Sequence, residues 1–244
     1  MAPPGRTHGE DQGEGLRLQA LMKHCVLLGD RSAIAKALLP FLVADGYTVS
    51  GWNRETIGID RQPWDLFLCA LGRVAQVGNW HEQHRDDVVD CFNSNLLLPL
   101  ELLRELWPSR KQNASACFMA GSNPQKIMSG YMPYNVSKMA LLKAVEQIDH
   151  ESPDCNVFAL GPGYFRDSPI HDATLKANWP NERIARGDAG TPIERIWGCL
   201  KWCIEQPKNV VGGRNITASD PWDTPELAER LAANTSMFKL RRAE

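Results

Sequence analysis

Long apolar stretches are missing from this sequence of 244 residues. No run approaches the ~18–20 apolar residues that a membrane-spanning helix needs, and the first residues contain no hydrophobic signal region. Charge of one sign is missing too, because 27 Lys and Arg stand against 29 Asp and Glu. This balance excludes the basic footprint of a protein that binds nucleic acid or a membrane surface. We therefore expect a cytoplasmic protein whose partner is a small-molecule substrate, with no nucleic acid and no membrane.

The cysteines and histidines lack the spacing of a metal site. Seven cysteines are an odd number, and most of them lie in apolar runs, which is typical of reduced, buried thiols rather than of a disulfide framework. Cys199 and Cys203 share one helical face, but two thiols without a matching Cys or His pair favour core packing. The sequence therefore predicts no metal.

The length and the 43% content of hydrophobic residues fit one large domain with a sizeable core. Residues 1–20 are polar and rich in glycine, so we expect a disordered N-terminal tail before a single Rossmann-like domain over residues 21–244.

Buried apolar runs alternate with helical patterns along that domain. We predict strands at residues 24–29, 47–52, 65–70 and 115–120, another at 155–160, and a last edge strand around 210–217. Helices are predicted at residues 34–43, 86–106, 134–150, 192–205 and 225–234. Strand-helix-strand succession with short connections implies parallel pairing with right-handed crossovers. The predicted fold class is α/β: a Rossmann-like, doubly wound, mostly parallel sheet of six or seven strands with helices on both faces, shortened after the second strand.

Tyr134 and Lys138 form a Tyr-x-x-x-Lys element in a predicted helix, so the phenol and the ammonium share one face. A nearby cation stabilises a phenolate and lowers the pKa of tyrosine from its usual value of about 10. Ser122 lies twelve residues upstream, at the end of a predicted strand, where open α/β sheets bind their ligands. The three side chains predict proton transfer to a substrate oxygen. A chance pairing on an ordinary helix is the alternative.

The loop between the first predicted strand and helix is a candidate phosphate site, because backbone N–H groups at a helix N-terminus favour anions. Only Gly29 remains of a glycine fingerprint there. Ala33 and Ala35 are small enough to allow a fairly close approach of a ligand, but alanine disfavours a positive φ. An ordinary turn between strand and helix is therefore the alternative to a dinucleotide site.

Arg54 follows the second predicted strand, where a guanidinium can bind the 2′-phosphate of NADP. Arg31 in the first loop is a second candidate for that phosphate, and solvent-facing arginines are the alternative. Glu55 follows immediately and keeps NAD open as the cofactor.

The order of these motifs resembles the short-chain dehydrogenase/reductase superfamily from about Lys23 to Thr217. Five motifs carry the resemblance: the glycine loop (29–35), the strand end Ala70-Leu71-Gly72, the helix asparagine Asn95, the set Ser122, Tyr134 and Lys138, and the cofactor loop Pro162-Gly163 followed by Ser168. The resemblance implies a nicotinamide cofactor, NADP or else NAD, and a homodimer or homotetramer.

The resemblance also implies roles for single residues. Tyr134 would transfer the proton, Lys138 would hold the nicotinamide ribose, and Ser122 would bind the substrate oxygen. Asn95 would anchor a water relay, although Asn93 competes with it in the alignment. The cofactor-binding residues implied are Gly29, Arg31, Ser32, Ala33, Ile34, Arg54, Asp60, Ala70, Leu71, Gly72, Lys138, Pro162, Gly163, Tyr164 and Ser168.

Two departures concern the cofactor half. About a dozen residues separate Trp52 from Trp64, where the family usually has a strand and a helix, so we predict that the third helix is missing. Because of this shortening, the sequence does not decide whether Asp60 contacts the adenine. Cys69 replaces the first asparagine of the strand-end motif.

The leading functional hypothesis is an NADP(H)-dependent ketoreductase for a small polar substrate such as a sugar or a nucleotide-sugar. Substrate contacts are expected in the segments after Gly72, between Ser122 and Tyr134, and between Tyr164 and about Gly187, because these loops follow the carboxyl ends of strands. They contain Arg73, Asn79, Trp80, Asn123, Gln125, Lys126, Tyr131, Tyr164, Arg166 and His171. The alternatives are a non-catalytic dinucleotide-binding or regulatory protein, and a nucleotide-sugar epimerase or dehydratase with tightly bound NAD.

Overall fold

The protein is described by a computed structural model over residues 22–53, 62–121, 125–166 and 168–241. In these ranges six strands form one sheet in the order β2-β1-β3-β4-β5-β6, and every neighbouring pair is parallel. The predicted doubly wound α/β sheet is confirmed. The strands are β1 Lys23–Leu28, β2 Tyr47–Trp52, β3 Trp64–Cys69, β4 Arg110–Met119, β5 Asn156–Gly161 and β6 Asn215–Thr217.

Helices cover both faces of this sheet. They are α1 Ala33–Ala44, α2 Arg85–Phe92, α3 Leu98–Leu106, α4 Met132–Glu151, α5 Pro169–Lys176, α6 Glu182–Ala185, α7 Ile193–Glu205, α8 Lys208–Val211 and α9 Pro225–Ala233. One core layer lies between the sheet and α1, α7 and α9, and the other between the sheet and α3 and α4.

The buried parts of β1, β3, β4 and β5 are mostly apolar because both faces of these strands are covered. In β1, Cys25 and Leu27 pack into the first core layer, whereas Val26 and Leu28 pack into the second. This alternation follows from the two-residue period of a strand. The sequence of β1 therefore reads as a continuous apolar run.

The helical pattern predicted over residues 86–106 is a helix interrupted by a wide turn. α2 and α3 are joined by a π-helical segment, Asn93–Leu97, in which the Leu98 backbone N–H donates to the Asn93 carbonyl five residues back. Pro99 has no N–H to give to the carbonyl four residues before it, which disfavours a regular α-helical turn here. The wide turn brings Ser94 and Asn95 into the interior.

The edge-strand prediction around residues 210–217 is wrong for Val210 and Val211, which lie in α8; only Asn215–Thr217 pairs with β5. Gly213, with φ +69°, separates the two elements. The predicted tail at residues 1–20 lies outside the described residues.

The connection between β2 and β3 spans residues 53–63, of which 54–61 lie outside the described residues. Asn53, Gln62 and Pro63 are not helical. The absence of the third helix therefore stays a prediction. Among the described helices, none combines the length and the apolar character that a membrane span requires.

The sheet has its switch point between β1 and β3. From β1 the chain moves to one side to form β2, and it then returns to the other side to form β3. The loops after β1 and β3 diverge at this point and leave a crevice at the carboxyl ends of the strands, which is where such sheets bind ligands.

Candidate active site

A cavity of about 630 Å³ lies at the carboxyl edge of the sheet. The loops after β1, β3, β4 and β5 all contribute to its lining. A second part of the lining comes from residues 168–185, which contain α5 and α6 and are called the cap below. The cavity therefore joins the predicted cofactor loops to a separate wall on its far side.

The first loop needs glycine at only one position. Gly29 has φ +86°, and a Cβ on it would lie 2.7 Å from the backbone nitrogen of Leu71. Ala33 and Ala35 lie in α1, and neither has a positive φ. The two alanines are therefore compatible with the loop geometry, which the sequence left open.

The start of α1 faces this cavity through Ser32, Ala33 and Ile34. The Ser32 hydroxyl accepts a hydrogen bond from the Ala35 backbone N–H at 3.2 Å and caps the helix. The remaining first-turn N–H groups give this end of α1 a partial positive charge. A phosphate group fits the chemistry of this part of the lining.

Other predicted cofactor contacts also line the cavity. They are Ala70, Leu71, Gly72, Lys138, Pro162, Gly163, Tyr164 and Ser168. Gly163 has φ +82°, and a Cβ on it would collide with the Thr191 side chain, so this loop also requires glycine. Arg31 is exposed and does not line the cavity. Arg54, Asp60 and Ser122 lie outside the described residues, so their roles stay predictions.

Tyr134 and Lys138 both line the cavity from α4, one helical turn apart. The Lys138 ammonium is buried and donates to the carbonyl of Met119 at 2.8 Å and to that of Leu71 at 3.5 Å. Burial lowers its pKa from the usual lysine value. Lys138 is thus fixed between the ends of β3 and β4.

The expected lowering of the Tyr134 pKa by Lys138 is wrong for this structure. Burial, with a smaller contribution from the nearby Cys91 thiol, raises the pKa of Tyr134 to about 12. The ammonium of Lys138 is engaged by two backbone carbonyls. Tyr134 is therefore a protonated phenol at neutral pH, which suits a proton donor better than a proton acceptor.

Asn95 is buried beneath the cavity and does not line it. Its Nδ2 donates to the Arg73 carbonyl at 2.8 Å and to the Ser137 hydroxyl at 3.0 Å, and its Oδ1 accepts from the Arg73 N–H at 2.7 Å. The Ser137 hydroxyl donates in turn to the carbonyl of Tyr134 at 2.8 Å. Asn95 therefore connects the loop after β3 to the helix that carries Tyr134. Its competitor Asn93 is exposed.

Arg73 fastens the loop after β3 to α2. Its guanidinium lies 3.1 Å from the Asp87 carboxylate and 3.5 Å from that of Asp90. The Cys91 thiol donates to the Arg73 carbonyl at 3.3 Å. Arg73 was expected to contact substrate, but it lies outside the cavity lining and holds the loop instead.

The remaining predictions of substrate contacts divide into two groups. Lys126, Tyr131, Tyr164 and His171 line the cavity, whereas Asn79, Trp80, Gln125 and Arg166 do not. Asn123 lies outside the described residues. Met128, Trp179, Asn181, Arg183 and Ile184 also line the cavity; they lie in the segments expected to contact substrate, but sequence reasoning did not single them out. The sequence signal for these residues is their apolar character and the helix-cap residue Asn181, because helix caps are recognisable from sequence.

Two contacts hold the cap against the segment before α4. The Tyr131 hydroxyl lies 2.5 Å from the hydroxyl of Thr174, and both side chains are buried. The Trp179 indole N–H donates to the carbonyl of Ser129 at 2.9 Å, and its ring covers Gly130 so closely that a Cβ there would lie 2.5 Å from it. The far wall of the cavity is therefore fixed by packing and hydrogen bonds.

The cysteines are all buried and free, as predicted, and Cys199 and Cys203 pack in the core. Within the described ranges, His, Cys, Asp and Glu side chains form no group of three or more that could bind a metal ion. Neither a family model nor a curated protein matches the sequence.

Solved structures do match the fold. A small-chain dehydrogenase in complex with NADPH is 16% identical, with a TM-score of 0.66 over 80% of this chain and 96% of that chain. The short-chain dehydrogenase from Shigella flexneri is 14% identical, with a TM-score of 0.67 and coverage of 80% and 90%. The oxidoreductase YciK from E. coli is 14% identical, with a TM-score of 0.68 and coverage of 83% and 98%. This chain therefore has the fold of the short-chain dehydrogenases.

Proposed function

We propose that this chain is an oxidoreductase of the short-chain dehydrogenase/reductase superfamily that reduces a carbonyl group of a small substrate, or oxidises the alcohol, with NADP(H). One observation carries the proposal: Tyr134 and Lys138 line the same cavity as the loops after β1, β3 and β5. A proton donor thus lies beside the place where this type of sheet holds a dinucleotide. NAD is the alternative cofactor, and Arg54 is the reason to favour NADP.

The described residues fit a dinucleotide. Gly29 keeps the first loop free of a side chain, and the N-terminus of α1 suits the pyrophosphate. Pro162 and Gly163 supply the loop on the opposite side. When bound, the nicotinamide would supply or accept the hydride. The fold neighbour in complex with NADPH supports this choice of cofactor.

Tyr134 and Lys138 have separate tasks in the proposed reaction. The neutral phenol of Tyr134 donates its proton to the substrate oxygen as that oxygen gains negative charge, because burial keeps the phenol protonated. Lys138 uses two of its three N–H groups on the Met119 and Leu71 carbonyls. The third N–H remains to hold a ribose hydroxyl, the role that the family resemblance gives it.

Titration of the purified protein with NADPH and NADH, followed by fluorescence, tests this proposal. Saturable binding with a preference for NADPH is expected. Absence of saturable binding of either nucleotide would contradict the proposed oxidoreductase. NAD that copurifies with the protein would instead favour the epimerase or dehydratase.

A pair of glycine variants locates the binding site. Gly29→Ala places a methyl group against the Leu71 backbone, so the affinity for NADPH should fall by at least about tenfold. Gly46→Ala is the matched control, because Gly46 also has φ +86° but has no atom within 4 Å of a built Cβ. Equal affinities in the two variants would place the dinucleotide elsewhere.

A further inference from the structure

The far half of the cavity has a wall of apolar and aromatic side chains. Met128 and Tyr131 come from the segment before α4, whereas Ile170, Trp179 and Ile184 come from the cap. A ligand next to Tyr134 would therefore bury part of its surface against hydrocarbon and rings.

Several polar groups of this wall are already used. Tyr131 shares its hydroxyl with Thr174, and the Trp179 N–H donates to the Ser129 carbonyl. The Asn181 carboxamide oxygen accepts from the backbone N–H groups of residues 183 and 184 at 3.1 and 3.2 Å. A ligand with many hydroxyl groups would leave some of them unpaired here, at about 1–3 kcal/mol each. This wall favours an apolar body over a sugar ring.

Two cations line the same cavity without a described carboxylate as partner. Lys126 precedes α4 and Arg183 lies in the cap, and both are exposed. The Arg183 guanidinium lies 5.9 Å from the centre of the Tyr164 ring. Among the described lining residues, Glu182 supplies the carboxylate, against the basic groups of Lys126, Lys138 and Arg183. The cavity mouth therefore offers charge-assisted hydrogen bonds to an anion.

From these observations we infer that the substrate is a carbonyl compound with an apolar or aromatic body and an anionic group, and that Lys126 and Arg183 bind the anion. This inference rests on the proposed function, because it concerns the same cavity. It departs from the sequence-based expectation of a sugar, which rests on the polar residues of the loops.

One other source could supply the anion, namely a phosphate of the dinucleotide. The two sources differ in which affinity the cations control. If Lys126 and Arg183 bind substrate, their removal leaves the affinity for NADP⁺ unchanged. If they bind a cofactor phosphate, the affinity for NADP⁺ falls instead.

Isothermal titration calorimetry on NADP⁺-saturated protein tests the inference without requiring turnover. The probes are 2-naphthoate, its neutral methyl ester and glucose 6-phosphate, which separate an aromatic anion from the same body without charge and from a hydroxylated anion. We expect 2-naphthoate to bind at least about tenfold more tightly than either of the other two.

Two substitutions and one control assign the effect to the cations. Lys126→Ala and Arg183→Ala should each weaken 2-naphthoate binding by roughly tenfold and leave the methyl ester within about twofold. Lys176→Ala is the matched control, because Lys176 is an exposed cation of the cap that does not line the cavity. It should change neither affinity.

Three results would overturn the inference. Glucose 6-phosphate that binds as tightly as 2-naphthoate would point to a hydroxylated substrate. A methyl ester that binds as tightly as the acid would remove the role of the cations. A matching loss of NADP⁺ affinity in the two alanine variants would assign Lys126 and Arg183 to the cofactor. If NADP⁺ binds normally, either of the first two results would overturn only this inference and not the proposed oxidoreductase.

Discussion

Replacing Asn95 by alanine removes the buried side chain that links the loop after β3 to α4. The side chain makes two hydrogen bonds to the Arg73 backbone and one to Ser137, and its Nδ2 also contacts the weakly accepting sulfur of Cys91 at 3.2 Å. The Arg73 N–H is left without this partner, whereas the Ser137 hydroxyl keeps its bond to the Tyr134 carbonyl. The variant should therefore lose more stability than an average surface substitution.

The size of the loss follows from this count. Three hydrogen bonds at about 1 kcal/mol each give about 3 kcal/mol, and the unpaired Arg73 N–H adds to the cost. Alanine has the better helix propensity and returns about 0.5 kcal/mol. We expect the free energy of unfolding to fall by about 2–4 kcal/mol. With an m-value of about 3 kcal/mol/M in urea, the midpoint should drop by about 1 M.

Asn93→Ala is the control, because Asn93 is exposed in the same π-helical segment. Its free energy of unfolding should stay within about 0.5 kcal/mol of the parent protein. Urea unfolding followed by circular dichroism measures both variants. Equal midpoints for the two variants, or a loss below about 1 kcal/mol for Asn95→Ala, would refute the assignment of Asn95 to this hydrogen-bond network.

Two further predictions concern Arg214 and Tyr134. Arg214 is buried and donates to three backbone carbonyls around the end of α9 and to the carbonyl of Asn209 in α8, so Arg214→Ala should lower the free energy of unfolding by about 2–4 kcal/mol. Urea unfolding measures this, and exposed Arg186→Ala should change little; equal effects would contradict the role of Arg214. Because the pKa of Tyr134 is raised to about 12, its phenol should stay protonated as pH rises to about 10. Absorbance at ~295 nm, compared between the parent protein and Tyr134→Phe, should show no added phenolate in that range; an added phenolate near pH ~8 would contradict it.

The architecture was predictable because local sequence patterns indicate its strands and helices. The buried strands read as apolar runs with glycine or polar residues at their ends, and β2 was predicted with the bounds that the structure has. The spacing of Tyr134 and Lys138 placed both on one face of α4. Helix period and strand period are properties of neighbouring residues, so sequence carries them.

The electrostatics of the site were not predictable. The pKa of Tyr134 depends on how deeply its ring is buried and on where the Lys138 ammonium points, and the Met119 and Leu71 carbonyls decide the latter. These carbonyls are 19 and 67 residues away from Lys138 in the sequence. No local pattern encodes such contacts.

The buried network and the cap show the same limit. Asn95 donates to Ser137 from a π-helical segment, which helical periodicity does not reveal. The cap has short helices with weak patterns, so Trp179 and Arg183 were not recognised as wall residues. Val210 and Val211 have high strand propensity but lie in α8, where packing against the first core layer prevails.

Tyr134→Phe tests the central claim most directly, because it removes one hydroxyl and no described hydrogen bond. Once a reducible substrate is identified, kcat/KM of the variant should fall by about 10²–10⁴-fold, the range of general acid catalysis. The affinity for NADPH should stay within about twofold, since the ring and Lys138 remain in place. A variant that binds NADPH normally and reduces the same substrate within a few-fold of the parent rate would contradict the assignment of Tyr134 as the proton donor.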